Sequence, residues 1–407
     1  MSSGSYLLFL VVLVGLTQQA DKYLFSAALE AIKGEFGLSD SQLGAINGPA
    51  FAIFFVVAGV PIARLAERKG RPPVIAGSVL AWSVFTMLTI WAAGFLTLFA
   101  ARVFVGIGEA GCSPAVQSLI AARFPPEQRS GAMSVMYAGN YLGVLLGLAC
   151  GGILVSAWGW RGAFLGVGIV GLLIAPLVWL TLRDAPRSVP VADENLWRDL
   201  TAVLRAPGMP HFLGAFCLMG LATYGTIAWS PAFYARYYGM NSAQIGIWVG
   251  FAMGGAAVIG SLLGAFIVGR LTRVRRDATP AFIVWTTLIS IPPAVAAFLV
   301  HDAPTSLALL AIWTVIGCLP AGPIYAVLHD LVEPRHRAVA AAVAMLAATL
   351  IGGTGPFVVG VFSDLVGAGS REALRDSLVA VNVFNIWALL HVFGLLSAYR
   401  RRFAVAV

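Results

Sequence analysis

Twelve apolar stretches recur along the chain, at about 6–33, 43–63, 73–93, 95–122, 130–157, 162–182, 209–235, 243–269, 279–300, 304–329, 338–363 and 377–399. Each is close to the roughly 20 residues that a helix needs to cross the hydrocarbon layer of a bilayer. A soluble fold could not bury a dozen such helices, because too little polar surface would remain to cover them. The composition agrees. The 407 residues are 59% hydrophobic and 11% charged, against a charged share of about 25% in soluble domains, and the mean hydropathy is +0.87. These features predict an all-α integral membrane protein with twelve transmembrane helices.

The first segment, MSSGSYLLFLVVLVGL, has neither a basic start nor a small-residue cleavage site, and reads as the first spanning helix rather than a leader. Basic residues set the expected orientation. Nineteen of the 26 Lys and Arg fall in loops on the side of the termini, among them Arg64, Arg68, Lys69 and Arg71, Arg270 to Arg276, and Arg400 to Arg402. Opposite loops hold only Lys33, Arg161, Arg236, Arg371 and Arg375. Both termini are therefore expected in the cytoplasm, and the net charge of +8 reads as a topology signal rather than a nucleic-acid surface. Cys112, Cys150, Cys217 and Cys318 lie in apolar segments without metal-ligand spacing, and no disulfide is expected.

The chain also repeats itself. A shift of 208 residues lays Pro126, Arg129, Ala132, Gly147 and Gly152 on Pro334, Arg337, Ala340, Gly355 and Gly360, and a shift of 206 lays Arg64-Leu65 on Arg270-Leu271. The longest polar stretch, RDAPRSVPVADENLWRDLTAVLRAPGMP, separates the copies. The predicted plan is one six-helix half at 1–182, a cytoplasmic linker at 183–208 and a second half at 209–407. Parallel six-helix repeats of this kind are a transporter plan, with halves rocking about a midplane site.

Three motifs carry a family resemblance. After the second stretch, ARLAERKGRPP matches the loop pattern G-x-L-a-D-R-x-G-R-[RK] at Leu65, Arg68, Gly70 and Arg71, with Ala63, Glu67 and Pro72 as departures. Gly143, Gly147, Gly151 and Gly152 match g-x-x-x-G-P-x-x-G-G, with Leu148 in place of proline; the second half carries Gly355-Pro356 and Gly360. The segment RVFVGIGEA matches R-x-x-q-G-x-g-a-a at Arg102, Gly106, Gly108 and Ala110. In these respects the chain resembles the major facilitator superfamily of transporters over nearly its full length. Gly106, Gly108 and Gly111 also spell a dinucleotide fingerprint, but that motif requires a preceding strand; within a spanning segment, the glycines suit close helix contact.

Asp21-Lys22 in the first helix and G-x-G-E-A in the fourth are most similar to the spinster-type subgroup. That resemblance implies proton-linked movement of amphipathic substrates, with animal members associated with sphingoid phosphates and lysophospholipids. It also implies a latch between the halves formed by Glu67, Arg68 and Arg71.

Four charges lie inside spanning segments: Asp21, Lys22, Arg102 and Glu109. Burying a charge there costs about 2.5–3.5 kcal/mol on insertion scales. Arg102 and Glu109 share a helix face about 10 Å apart along the axis, which leaves room for Asp21 between them. A carboxyl group in such a place is drawn to its neutral form by desolvation and to its charged form by a nearby cation. Asp21 and Glu109 are thus candidate proton carriers, with Arg102 as modulator. Lys22, Arg102, Glu109, Tyr224 and Trp229 are candidate substrate contacts, and Gly143, Gly147, Gly151, Gly152, Gly355 and Gly360 candidate packing surfaces. A purely structural charge cluster is the competing reading. All four of these charges lie in the first half, while the second has polar groups such as Tyr224, Thr226, Asn382 and Asn385 but no comparably central charge, so the second half is expected to offer the more apolar wall.

His211, His301, His336 and His391 have no ligand spacing, and no metal or cofactor is expected beyond protons as the coupling ion. No nucleotide-binding loop appears, and no reactive constellation suggests an enzyme. The expected activity is secondary transport of an amphipathic, lipid-like substrate by a monomer in a bacterial inner membrane. A carrier of small organic anions or drugs, or a receptor that kept the fold, are the alternatives.

Overall fold

The computed structural model describes residues 4–184, 196–271, 277–367 and 370–404, without the side chains of Glu67, Pro126, Glu127, Ser130, Leu196, Phe403 and Ala404. The described residues form helices and no strands. The spanning helices are α1 (Gly4–Phe36), α2 (Asp40–Ala66), α3 (Arg71–Trp91) and α4 (Phe95–Arg123). The stretch Gly131–Thr181 crosses twice, as α5 (131–158) and α6 (160–181). It breaks at Gly159, whose φ of 68° lies in the region glycine enters at least cost. Next come α7 (Met209–Tyr238), α8 (Ser242–Leu271), α9 (Ala278–Leu299), α10 (Ala303–Leu331), α11 (Pro334–Gly367) and α12 (Arg371–Arg402). Twelve crossings put both termini on one face, called proximal below; the opposite face is distal.

Local sequence explains where the helices begin. Ser39 caps α2, with Gln42 completing a reciprocal capping box. Asn241 and Gln244 do the same for α8. These boxes satisfy backbone donors that a helix start would otherwise leave open, and they occupy equivalent places in the two halves. Between the halves, a short helix at Leu196–Arg205 docks on the second half through Asp199, 3.2 Å from His336.

Packing divides into three cores. One core unites both halves at the distal end, joining Phe25, Leu29 and Phe164 to Trp229, Phe233 and Phe298. At the proximal end each half has its own core, one around Leu119 and Val178, the other around Val327 and Leu395. The halves are thus fused distally and separate proximally. The outer surface carries exposed apolar side chains such as Trp158, Leu180, Trp285 and Leu390, as a lipid-facing wall requires. Trp91 and Trp158 belong to that wall, whereas Trp82 and Trp160 are buried.

Glycines set the closest approaches. A Cβ at Gly147 would stand 2.7 Å from the Ala20 Cα, and at Gly143 2.9 Å from that of Leu16, so α1 lies directly on α5. Between the halves, a Cβ at Gly152 would fall on the Ser242 carbonyl oxygen of α8, and one at Gly360 on the Asp40 carbonyl oxygen of α2. Gly355 meets α7 at Leu221 and Gly225, and Gly151 meets Leu24.

Candidate functional site

Helix α1 is the axis of the site. Asp21, 1% exposed, receives Arg102 Nη1 at 3.2 Å on Oδ2 and the Thr86 hydroxyl at 2.5 Å on Oδ1. Helices α1, α3 and α4 therefore meet at one carboxylate. The Arg102 guanidinium lies 5.1 Å from the Phe25 ring centroid and 5.9 Å from that of Phe51, within reach of cation–π attraction. Its Nε and Nη2 have no protein hydrogen-bond partner.

Glu109, two turns further along α4 from Arg102, bonds to α1 at a different side chain. Gln18 Nε2 donates to its Oε2 at 3.1 Å, and Ser113 lies 3.5 Å from the Gln18 oxygen. Its Oε1 is buried without a partner. Asp21 was expected to join Arg102 and Glu109; it binds Arg102, and Gln18, one turn earlier on α1, takes Glu109 instead. Glu109 ends the first segment of α4, which breaks at Ala110–Gly111 before resuming at Cys112. The glycine motif explains the tightness: Cβ atoms at Gly106, Gly108 and Gly111 would strike Phe51, Trp82 and Ile62 respectively. These are contacts between helices, and the described residues form no strand from which a nucleotide loop could follow.

A cavity of about 160 Å³ lies between the halves against this cluster. The first half lines it with Gln18, Gln19, Lys22, Asn47, Glu109 and Asn140, and the second half mainly with Ile227, Ala228, Gly353 and Pro356, plus Tyr224 and Thr349. The first-half wall is mixed, its polar groups flanked by Phe51, Ala52 and Phe55, and the second-half wall is largely apolar. Lys22 Nζ sits 4.4 Å from the Tyr224 ring centroid of the other half and 5.6 Å from that of Phe51.

Not every candidate reaches the cavity. Trp229 is fully buried and donates its indole N–H to the Pro356 carbonyl at 2.7 Å, tying α7 to α11. Its bulk and its single donor are taken up by packing, and it does not line the cavity in this conformation. Arg102, 1% exposed, is likewise absent from the cavity lining; it pairs with Asp21 behind that wall. At the proximal end, Arg71 binds Asp184 through its backbone N–H at 3.1 Å and Nη1 at 3.2 Å, and Ser118 through Nε at 2.9 Å. These partners precede the second half, so in this conformation Arg71 braces α3, α4 and the end of α6. The side chain of Glu67 lies outside the described residues; Arg68 is exposed.

A second polar cluster, not anticipated from sequence, closes the distal end. Arg236 of α7 binds Glu30 of α1 through Nη2 at 2.7 Å and the fully buried Asp40 of α2 through Nη1 at 2.7 Å. Lys33 pairs with Asp40 as well, and the Ser363 hydroxyl donates to it at 2.7 Å. Asp364 of α11 accepts from the backbone N–H groups of Asp40 and Ser41 at 3.1 and 2.8 Å, capping α2 from the opposite half. All five basic residues of the distal loops have acidic partners in the structure: Lys33, Arg161, Arg236, Arg371 and Arg375.

Comparison with known proteins fits this architecture. An MFS-type efflux pump of Mycolicibacterium smegmatis is 35% identical over 402 residues, covering 96% of this chain and 92% of the relative. Human protein spinster homolog 1 is 27% identical, covering 89% of this chain and 74% of the relative. Among solved structures, a bacterial homolog of the human lysosomal transporter Spinster, in an inward-facing and unoccupied conformation, superposes with a TM-score of 0.85 at 28% identity, over 98% of this chain and 99% of the other. The sequence profile of the Major Facilitator Superfamily matches residues 9–398. A twelve-helix chain with two fused halves, a cavity between them and this match from end to end is a transporter rather than an enzyme, and it belongs to the Major Facilitator Superfamily.

Proposed function

We propose that this chain is a proton-coupled secondary transporter that moves an amphipathic, lipid-like substrate by rocking its two halves about the cavity. The observation that carries this reading is Glu109: a carboxyl group 1% exposed, at the wall of the cavity, with one oxygen held by Gln18 and the other unpartnered. A permanently charged structural carboxylate would be left half-solvated at considerable cost. A group that gains and loses a proton has use for an open oxygen.

Asp21 and Arg102 form the electrostatic background for that exchange. When Glu109 loses its proton, Lys22 and Arg102 are the nearby cations that favour the anion; a polar headgroup at Lys22 would alter that balance. The apolar wall from α7 and α11 suits an alkyl chain. The basic loops support cytoplasmic termini in a plasma membrane, so the closed distal face is the external one and the cavity answers to the cytoplasm. Gly152 and Gly360 lie on the surfaces that must part when the distal face opens.

The M. smegmatis relative is described as an efflux pump, which favours export and supports a second reading, a drug-like or small organic cargo. Transport of a labelled lysophospholipid in proteoliposomes, with and without a pH gradient, separates the two. Gradient-dependent flux competed by unlabelled lysolipid supports the lipid reading. Absence of flux from folded, reconstituted protein, together with gradient-dependent movement of a cationic dye, supports the second.

A further inference from the structure

The sequence spaces its histidines far apart, but the fold brings two of them together. His211 lies in the first turn of α7 and His391 on α12, and their Nδ1 atoms stand 3.4 Å apart with ring centroids at 5.5 Å. The surrounding chain is reciprocal. His211-Phe-Leu-Gly214 and His391-Val-Phe-Gly394 are both H-x-x-G. A Cβ at Gly214 would stand 2.7 Å from His391 Nδ1, and a Cβ at Gly394 2.7 Å from His211 Nδ1. Each helix thus opens a slot for the other's imidazole, and the slots turn the two Nδ1 atoms toward each other.

The separation decides what the pair suits. It exceeds the roughly 2.7–3.2 Å of an ordinary hydrogen bond from a ring N–H. Two imidazole nitrogens at about 2.0–2.1 Å from one tetrahedral Zn²⁺ stand about 3.3–3.4 Å apart. We infer that His211 and His391 form a two-imidazole site for a divalent transition-metal ion of the Zn²⁺ type at the proximal end of the α7–α12 seam. Among the described residues no third His, Cys, Asp or Glu completes a cluster. The remaining positions therefore fall to ligands from outside the described residues, toward which the exposed side of His211 leaves access. Both ligands belong to 209–407, so the ion would staple the start of α7 to α12 without bridging the halves. The site is separate from the cavity and independent of the substrate.

The test is calorimetric titration of tag-free, full-length protein in detergent with Zn²⁺. One ion per chain should bind to the native protein. His211→Gln and His391→Gln should each weaken binding at least tenfold, while His301→Gln should not. Zn²⁺ should raise the Tm of the native chain and leave that of the two variants unmoved, because only a ligand held by the folded state stabilises it. Should the variants fail to fold, Trp387 supplies a second readout: its ring lies 6.4 Å from that of His391. Bound Cu²⁺ should then quench a component of the fluorescence that Trp387→Phe removes. Binding that survives both histidine substitutions, no binding to the native chain, or quenching that ignores Trp387 would overturn the assignment.

Discussion

Substituting Arg236→Gln should open the distal face, and the structure sets the size of the effect. The native guanidinium serves two acids on the other half, Glu30 and Asp40. Removing one partner of a buried ion pair costs about 3–5 kcal/mol. Two features reduce that here: the Glu30 side chain is 33% exposed, and Asp40 keeps Lys33 and Ser363. A cost of about 2 kcal/mol remains, after discounting the hydrated partner. In a distal-open state the clasp is broken and both acids are hydrated, so the loss falls on the closed state alone. Two kcal/mol is roughly a 30-fold shift, which would lower a closed population of about 99% to about three quarters. The assay is pulsed dipolar spectroscopy on spin labels at Leu96→Cys and Pro304→Cys, exposed distal positions of the two halves, in a background lacking the four native cysteines. A longer second distance should appear in Arg236→Gln and in Asp40→Asn, and the double variant should add less than the sum. If Arg236→Gln leaves the distance distribution unchanged, the clasp does not hold the distal face shut.

Three further outcomes follow from packing and polar contacts. Gly152→Val should fold yet lose transport, because its side chain would meet the Ser242 carbonyl and Gly246 and wedge α5 from α8; flux and spin-label distances report it. Trp229→Phe should lower thermal stability by about 1–3 kcal/mol through the stranded Pro356 carbonyl, while substrate affinity, measured by equilibrium binding, stays within twofold. Arg71→Gln should destabilise the proximal end of the first half, seen as faster hydrogen exchange in 71–75 and 118–123, with no change in the distal distances.

The fold was legible because a bilayer demands twelve long apolar helices and charge in the loops marks the crossings. The break at Gly159 falls in the gap between the stretches ending at 157 and starting at 162, although a single glycine and not a polar loop makes the turn. Within the site, the rarity of buried charge pointed to Asp21, Lys22, Arg102 and Glu109, and counting turns foresaw that Asp21 could approach Arg102. Counting could not tell which α1 side chain faces Glu109, because Gln18 and Asp21 differ by less than one turn and the rotation of α1 against α4 decides. Trp229 misled for a related reason: its amphipathic ring suits a cavity or a seam equally well, and the Pro356 carbonyl lies 127 residues away. The distal clasp joins residues 196 to 324 positions apart, and each charge alone resembles an ordinary loop residue. The histidine pair was hidden likewise, although its repeated H-x-x-G was on view.

The central claim is that Glu109 carries the coupled proton, and its most direct measurement is substrate-driven proton movement. Proteoliposomes loaded with a pH-sensitive dye and given a lysophospholipid gradient should show internal pH change with the native chain. Glu109→Gln should abolish the pH change while retaining substrate exchange across the membrane without a gradient. A Glu109→Gln protein that still moves protons with substrate at the native rate would contradict the account.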